Sequence, residues 1–377
     1  MAFQFGSAQS FKQDLVEIAR ADLVAGRLGR RDFLKLCLWA GGTASFAGLK
    51  GVTNSEAAEA KQIIVANYGG QATPAMEEAW GQPYTKDTGV KVIFDGVTPL
   101  PGKIKAMVES GKITWDAADA DLFVGAQLGA QGVLEPIDYS IVDRSMLPAN
   151  WATKYAVGNY AYSFVLAYDK TKFPDKPPNY SDFFDIKKYP GKRTLWKYQM
   201  GAAEACLFGD GVLADRLYPL DMPRAIKKAK TLGKDLILWS SAAESVQMFV
   251  DKEVVMGSIF HPRAAFLERE TKGRVTGRWS QGLYCPGAFV VPKGNPAGKE
   301  VMRFLNSVLI PERQIKLLSL FGNGPSNPKA SAMAPKELNG IDPSFPANLK
   351  LQIIRDEDWY GKNYDAAIDQ WIDGLSG

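Results

Sequence analysis

QIIVANYGGQATPAMEEAWGQPYTKDTGVKVIFDG, residues 62–96, alternates between two kinds of local pattern. The apolar, β-branched run at residues 62–70 predicts a strand, and residues 90–96 predict a second one. Between them, Thr73 is a suitable helix N-cap and Gly89 a suitable helix end, so we expect a helix there. A strand, a helix and a strand in this order favour a mostly parallel sheet with helices on its faces. The stretch therefore predicts an α/β fold.

The same alternation continues along the chain. A helix is expected at residues 100–111, a third strand at residues 119–125 and a long strand centred on residues 162–168. A proline-rich loop, FPDKPPNYSDFFD at residues 173–185, then precedes a second series of strand and helix candidates. A chain of 377 residues exceeds what one hydrophobic core usually supports. We therefore expect two α/β parts with a boundary near Asp169.

The composition excludes several kinds of function. With 45 basic and 41 acidic residues, the chain has a net charge of +4 and no basic block of the kind that binds nucleic acid. Its single histidine, His261, rules out a metal site built from several imidazoles. The three cysteines show no metal-type spacing, and no GxSxG motif indicates a serine hydrolase. We expect no catalytic residue, no metal and no cofactor, and we interpret His261 as structural.

The first 60 residues have the order of features of an export signal. Two arginines at residues 30–31 precede a 14-residue apolar run at residues 36–49, which is too short to span a membrane. The sequence AEA at residues 58–60 is a small-residue cleavage motif, so we expect cleavage before Lys61. The segment RRDFLK resembles the twin-arginine signal, which implies export to the periplasm. The alternative is an amphipathic surface helix that contains two adjacent arginines.

Several separated segments of the chain resemble one family of transport proteins. They are NYGG after the first strand, YTKDTGVKV at residues 84–92, QGVLEPID at 131–138, VVMGSIFHPRAAF at 254–266 and the run at 289–330. Together, their order and spacing resemble the solute-binding proteins of ABC importers, in the branch that includes the spermidine/putrescine-binding proteins. The resemblance implies the type II periplasmic binding protein fold. This fold has two lobes with mixed, mostly parallel sheets, joined by two crossing hinge strands around a ligand cleft.

The resemblance also implies how the chain is divided. The hinge strands would cross between the lobes near Tyr168 and near Val290. The parts would then be a cleaved signal peptide at residues 1–60, lobe one at residues 61–168 and 290–345, lobe two at residues 169–289, and a C-terminal helical segment at residues 346–377.

Candidate ligand contacts follow from the general architecture of open α/β sheets, in which ligands bind beyond the carboxyl ends of the strands. Residues at four such ends are candidates: Tyr68, Gly69, Gly70, Gln127, Trp196, Arg263 and Tyr284. The glycines let the backbone approach a ligand, the rings can stack on it, and Arg263 can hold a carboxylate with two hydrogen bonds. The alternatives are an ordinary turn for the glycines, core positions for the rings, and an ion pair with Glu268 or Glu270 for the arginine.

The ligand predicted from these residues is not a simple polyamine. In the polyamine-binding branch, the resemblance implies a Trp-x-Asp sequence before the return strand, whose carboxylate holds an ammonium group. Here that position reads YCPG at residues 284–287, and no acid directly follows the strand that contains Trp196. An ammonium group is costly to desolvate without a paired carboxylate. We therefore expect a small polar ligand with an anionic group that Arg263 binds.

The function implied by the resemblance is solute capture without catalysis. A monomeric receptor would close on its ligand and present it to the permease subunits of an ABC importer in the inner membrane. Two alternatives stay open: an exported enzyme on the same fold, and a binding protein that serves a sensor instead of a transporter. The sequence also leaves open whether Cys206 and Cys285 form a disulfide after export.

Overall fold

The structure, a computed structural model, describes residues 60–173 and 178–376 of the chain. All of the predicted signal peptide except its last residue lies outside these ranges. Within them the chain forms ten strands: β1 (Gln62–Ala66), β2 (Lys91–Asp95), β3 (Ala117–Asp121), β4 (Val157–Asp169), β5 (Lys192–Trp196), β6 (Leu236–Trp239), β7 (Val254–Phe260), β8 (Val275–Val290), β9 (Gly324–Pro325) and β10 (Gln352–Ile354).

Helices cover the sheet and fill the connections between strands. The α-helices of the described residues are α1 (Ala72–Met76), α2 (Gln82–Thr88), α3 (Pro101–Glu109), α4 (Leu122–Ala130), α5 (Tyr180–Phe184), α6 (Ala202–Gly209), α7 (Met222–Lys230), α8 (Ala242–Val250), α9 (His261–Glu270), α10 (Glu300–Val308), α11 (Pro311–Phe321), α12 (Pro328–Met333), α13 (Pro346–Leu349) and α14 (Glu357–Ser376). A π-helical turn, Glu77–Gly81, joins α1 to α2. None of these helices has the length and apolar character that crossing a bilayer requires.

Eight of the strands form one path in the order β2-β1-β3-β8-β4-β7-β5-β6, which has two similar halves, while β9 pairs with β4 and β10 with β8. In the first half, β1 pairs in parallel with β2 and β3, and β8 runs antiparallel to β3. In the second half, β5 pairs in parallel with β6 and β7, and β4 runs antiparallel to β7. Each half therefore contains three parallel strands next to one long antiparallel strand.

Strands β4 and β8 belong to both halves and pair with each other along most of their length. The start of β4 lies beside the end of β8, which pairs with β3, while residues 164–168 of β4 pair with β7. All residues of β4 except Tyr162 are buried, as expected for a strand covered on both faces. These two strands are the crossing connections that the resemblance implied, and the lobe boundaries along them stay a prediction.

The sequence predicted the end of the first helix correctly but not its start. Gly89 ends α2 in the left-handed conformation, with φ of 78°. Thr73, the expected N-cap, lies inside α1 instead, and its hydroxyl donates to Asn67 Oδ1 at 2.9 Å. The side chain therefore braces the turn that follows β1 and does not cap the helix.

Two other elements differ from the sequence-based expectation. The strand expected at residues 119–125 ends at Asp121, and α4 begins directly after it. Strand β8 begins at Val275, although only its apolar end, from Gly287, has a clear strand pattern. Residues 277–281 are partly exposed, and the pairing of residues 275–278 with β4 brings this part into the strand.

The C-terminal segment contains a strand as well as helices. Residues 352–354 form β10, which pairs in parallel with residues 282–284 of β8. The following helix, α14, packs against α4 of the first half and against α7 of the second half. The segment therefore contacts both halves on either side of the crossing strands.

Candidate functional site

Both glycines after β1 have left-handed backbone conformations, with φ of 70° at Gly69 and 57° at Gly70. The Gly69 N–H donates to Asn67 Oδ1 at 2.9 Å, which closes the turn. A side chain at position 70 would lie 3.7 Å from Arg263 Nη2, an ordinary contact distance. The backbone conformation, and not lack of space, therefore requires glycine at this position.

Arg263 reaches the same turn from the second half of the sheet. It lies in the first turn of α9, directly after β7, and its side chain is buried. Its Nη1 donates to Gln71 Oε1 at 3.2 Å, and its guanidinium carbon lies 5.1 Å from the centre of the Phe321 ring. Of the predicted ligand contacts, the structure thus brings Arg263 together with Gly70 across the two halves.

Tyr68, in the same turn, lies near two acidic residues at the end of β3. Burial and the carboxylates of Asp121 and Asp119 raise the pKa of Tyr68 well above its ordinary value. Asp119 accepts hydrogen bonds from Asn159 Nδ2 at 2.9 Å and from the Tyr160 hydroxyl at 2.8 Å. Burial nevertheless raises the pKa of Asp119 to about 7, because these two donors only partly replace water. The junction therefore combines tyrosine hydroxyls with buried carboxyl groups.

A buried arginine organises the next part of the junction; we call Arg355, Asp121, Glu357 and Tyr162 the Arg355 cluster. Arg355 Nη1 donates to Asp121 Oδ1 at 2.9 Å, and its Nε donates to Glu357 Oε1 at 2.7 Å. The Tyr162 hydroxyl donates to Asp121 Oδ1 at 2.7 Å. Burial alone would lower the pKa of Arg355, but Asp121 and Glu357 outweigh burial and raise it. Burial raises the pKa of Glu357 to about 6, against the influence of Arg355.

Glu204, on α6 of the second half, connects to the same region through tyrosines. Its Oε1 accepts hydrogen bonds from the Tyr360 hydroxyl at 2.6 Å and the Tyr218 hydroxyl at 2.9 Å, and its Oε2 accepts one from the Gly201 N–H at 2.8 Å. Burial raises the pKa of Glu204 despite these donors. Because Tyr360 lies on α14, the C-terminal helix joins the Arg355 cluster to the second half.

Trp196 and Tyr284 lie in different surroundings from Arg263. Trp196 is buried and stacks on Trp239, with ring centres 5.5 Å apart, and it meets the edge of the Phe260 ring at 5.7 Å. Tyr284 is also buried, and its hydroxyl lies 3.2 Å from Ser344 Oγ. Trp196 is therefore an aromatic neighbour of the β7–α9 junction, whereas Tyr284 packs on the loop before α13.

Gln127 lies in the middle of α4, and this corrects its expected position at a strand end. The reason is that β3 ends at Asp121, six positions earlier. Gln127 lines a surface groove of about 420 Å³ between α4 and α14, together with Tyr364 and Lys362. The acidic residues of β3, and not Gln127, thus lie at the strand end where a ligand contact was expected.

Comparison with known proteins identifies the family. Residues 79–343, more than half of the chain, match the family of bacterial extracellular solute-binding proteins. The chain belongs to this family. In the part of this solute-binding protein that the structure describes, no group of three or more His, Cys, Asp or Glu side chains could hold a metal ion.

Similar proteins agree with this assignment. The solute-binding protein is 28% identical over 325 residues to the gamma-aminobutyric acid-binding protein of Pseudomonas aeruginosa, covering 83% of this chain and 92% of that protein. An ABC transporter substrate-binding protein from Bradyrhizobium japonicum is 32% identical and has a TM-score of 0.78, covering 83% of this chain and 99% of the other. A binding protein from Agrobacterium tumefaciens R10, solved in complex with agropinic acid, is 32% identical with a TM-score of 0.77, covering 84% and 99%.

These similarities confirm the predicted family and the two-lobed α/β fold. They also confirm the general function, because the similar proteins are binding proteins for small molecules and include an ABC transporter component. The ligands named for the Pseudomonas aeruginosa and Agrobacterium tumefaciens proteins are acids, which agrees with the expectation that the ligand is not a simple polyamine.

Several residues of the junction were not predicted from the sequence: Asp119, Asp121, Tyr162, Arg355, Glu357 and Tyr360. The segment AADAD, residues 117–121, carried a usable signal. Two acids in a strand that is otherwise made of alanine are unexpected unless they serve a site, since all five residues are buried. Arg355 carried no comparable local signal.

The two cysteines that follow the predicted cleavage site do not form a disulfide. Cys206 and Cys285 are both free and buried. Burial raises the pKa of both thiols, which keeps them protonated and unreactive. Arg355 lowers the pKa of Cys285 and Asp121 raises it, but burial has the largest effect.

His261 has the structural role that the sequence suggested. It is buried, its Nδ1 accepts the Ser163 N–H at 3.0 Å, and its Nε2 lies 2.8 Å from the Gly322 carbonyl oxygen. These partners assign the neutral tautomer that carries its proton on Nε2. The ring thereby joins β4, the start of α9 and the end of α11.

This environment predicts a pH-dependent contribution of His261 to stability. Burial lowers its pKa from 6.5 to about 4, so the unfolded chain binds a proton between these values while the folded chain does not. The contribution is fully present above pH 6.5 and is lost as the pH falls towards 4, which amounts to about 3 kcal/mol. We expect the difference in unfolding free energy between the native chain and a His261→Gln variant to be larger at pH 7 than at pH 4.5.

Denaturant titrations of both proteins at the two pH values measure this difference. The comparison isolates His261, since it is the single histidine, and we expect the carboxyl groups with raised pKa, those of Asp119, Asp342 and Glu357, to titrate alike in both proteins. A difference that stays constant with pH would show that the ring does not titrate with the lowered pKa.

Proposed function

We propose that this solute-binding protein captures a small carboxylate-bearing solute at the junction of its two halves and delivers it to the permease subunits of an ABC importer. The observation that carries the proposal is the position of Arg263. Its guanidinium crosses from α9 to the glycine turn after β1, where Nη1 lies 3.2 Å from Gln71 Oε1. A guanidinium binds a carboxylate through two parallel hydrogen bonds. A ligand held there would contact both halves.

The other predicted contacts contribute to the proposed site to different degrees. Tyr68, Gly69 and Gly70 lie in the turn that Arg263 reaches, and the two glycines expose backbone to a ligand. Trp196 contacts Phe260, the residue before α9, and would supply an apolar wall. Gln127 and Tyr284 are left out of the proposed site, since their side chains lie in the α4–α14 groove and beside Ser344.

The ligands named for similar proteins support a carboxylate. They are gamma-aminobutyric acid for the Pseudomonas aeruginosa protein and agropinic acid for the Agrobacterium tumefaciens protein. Both are organic acids, whereas a polyamine has no group that would pair with Arg263. We propose a solute of this general class for the present protein, and we propose that it binds without being chemically changed.

Ligand capture would use the two-lobed architecture. We propose lobe one at residues 61–168 and 290–345, lobe two at residues 169–289, and residues 346–377 as a C-terminal segment. The change of partners along β4 and β8 supports two crossing strands, about which the lobes would rotate. A ligand that contacts both lobes stabilises the closed arrangement in proportion to its differential affinity for it.

We further propose that the protein acts in the periplasm as a monomer. Residues 1–60 would direct export by the twin-arginine pathway and would be removed before Lys61. The RRDFLK segment, the apolar run after it and the AEA motif support this proposal. Membership of an extracellular family agrees with it.

One experiment tests the proposal. The full chain is expressed in a host with a twin-arginine pathway, the periplasmic form is recovered, and its N-terminus is determined by mass spectrometry. Isothermal titration of that form then compares 4-aminobutyrate, butyrate, succinate and other organic acids with putrescine and spermidine. We expect Lys61 as the first residue and binding of one or more acids but of neither polyamine. Binding of polyamines alone would contradict the carboxylate proposal, and turnover of a substrate would contradict the receptor proposal.

A further inference from the structure

The Arg355 guanidinium occupies surroundings that are built for a cation. Its side chain has no exposed surface. Two carboxylates, those of Asp121 and Glu357, accept its hydrogen bonds at 2.9 and 2.7 Å, and the Pro286 carbonyl oxygen accepts one from Nη2 at 3.2 Å. Its guanidinium carbon also lies 5.0 Å from the centre of the Phe123 ring. Carboxylates, a carbonyl oxygen and an aromatic ring are the groups that bind alkylammonium and guanidinium ligands.

We call the groups that surround the Arg355 guanidinium the cation pocket. Both halves of the molecule contribute to it. Asp121 and Phe123 come from the β3–α4 junction of the first half. Met200, whose Sδ lies 2.9 Å from Arg355 Nη1, comes from the loop after β5 in the second half. Arg355 itself is held from the C-terminal segment, where its backbone N–H donates to the Tyr284 carbonyl oxygen at 2.9 Å.

Tyr162 connects the cation pocket to the proposed carboxylate site. Its hydroxyl lies 3.2 Å from Arg355 Nη1, and its ring meets the Phe260 ring edge-on at 5.8 Å. Phe260 precedes α9, which carries Arg263. Burial and the Asp121 carboxylate raise the pKa of Tyr68, which lies in the glycine turn near Arg263, whereas Arg355 lowers it. The two arginines are therefore linked by a short series of neighbouring residues on the same junction.

We propose that the Arg355 guanidinium occupies the part of the ligand site in which the ammonium group of a ligand would otherwise bind. The ligand bound through Arg263 then needs no amino group, and solutes with an ammonium group are excluded from that part of the site. The inference rests on the proposed function, because it assumes that the junction is where the solute binds. It predicts that removal of the guanidinium leaves two carboxylates, the buried Asp121 and the half-buried Glu357, that a ligand cation can neutralise.

The test compares matched ligands on the native chain and on an Arg355→Ala variant. The pairs are 4-aminobutyrate with butyrate and 6-aminohexanoate with hexanoate, which differ only by an ammonium group; N-ethylguanidinium replaces the side-chain atoms that the variant lacks. For the native chain we expect no preference for the amino acids. For the variant we expect at least one amino acid to bind on the order of 10-fold more tightly than its matched acid. We also expect N-ethylguanidinium to raise the melting temperature of the variant by about 2 °C or more, but not that of the native chain.

A second variant shows whether the two carboxylates cause any gain in affinity for the amino acids. The triple variant Arg355→Ala, Asp121→Asn, Glu357→Gln leaves the same space as Arg355→Ala but no charge, and it is expected to show no preference for the amino acids. If this variant gained as much affinity for the amino acids as Arg355→Ala does, the inference would be overturned. A preference for the amino acids in the native chain would also overturn it, and that measurement does not depend on whether any variant folds.

The outcomes for the inference and for the proposed function are distinguishable. If the native chain binds acids through Arg263 but Arg355→Ala gains no affinity for amines, the inference is wrong and the proposed function stands. If no acid binds the native chain while Arg355→Ala gains binding of N-ethylguanidinium, the carboxylate proposal is wrong and the cation pocket stands.

Discussion

Replacement of Asp121 by alanine is expected to lower the free energy of unfolding by about 3–5 kcal/mol. The carboxylate pairs with Arg355 at 2.9 Å in a region where the arginine side chain has no exposed surface and Asp121 has 6%. The change removes half of the negative charge that compensates the buried guanidinium and leaves the Tyr162 hydroxyl without its acceptor. Chemical denaturation at neutral pH, with unchanged dependence on denaturant concentration, would measure the loss.

Asp210→Ala is a matched control for this change. Asp210 also pairs with an arginine, Arg224, at 2.6 Å, but both side chains are more than a third exposed. Solvent screens such a pair, so its loss should cost less than about 1 kcal/mol. A cycle with Asp121→Ala, Arg355→Met and both changes together should give a coupling free energy on the order of 1–3 kcal/mol. Equal losses for Asp121→Ala and Asp210→Ala would contradict the prediction, because the buried pair would then contribute no more than the exposed one.

The alternation of strands and helices was predictable because each element has a short, local sequence pattern. The run VVMGSIF predicted β7 with its observed bounds, Val254–Phe260. The first part of β8 was not predictable in this way. Its residues from Gly277 to Gln281 are polar, glycine or aromatic and only partly buried, and the first part enters the strand because residues 275–278 pair with β4. Pairing across a sheet, which a local pattern does not record, decided this element.

Some residues of the candidate site could likewise be predicted from the sequence, and others could not. The turn at Gly69 and Gly70 and the arginine after β7 were predictable, since each lies next to a strand end that the sequence marks. The pairing of Arg355 with Asp121 was not predictable, since the two residues are separated by 234 positions. Nothing near Arg355 distinguishes it from an exposed arginine, and its burial follows only from the way β10 and α14 pack against β8 and α4.

Replacement of Arg263 by alanine is expected to weaken the binding of the carboxylate solute on the order of 100-fold. The guanidinium lies between α9 and the glycine turn after β1, so its loss would leave a bound carboxylate without its charged donor in a largely desolvated site. Arg263→Lys retains the charge but loses the two parallel hydrogen bonds, so we expect an intermediate affinity. Isothermal titration with the acid that binds the native chain most tightly would measure both effects.

Arg269→Ala provides the control on the same helix. Arg269 is exposed in the last turn of α9, whereas Arg263 is buried in the first turn, so its removal should change the affinity by less than about threefold. Thermal unfolding without ligand would separate a binding effect from a stability effect, because Arg263 also packs on Phe321. If Arg263→Ala binds the acid as tightly as Arg269→Ala does, the carboxylate is held elsewhere.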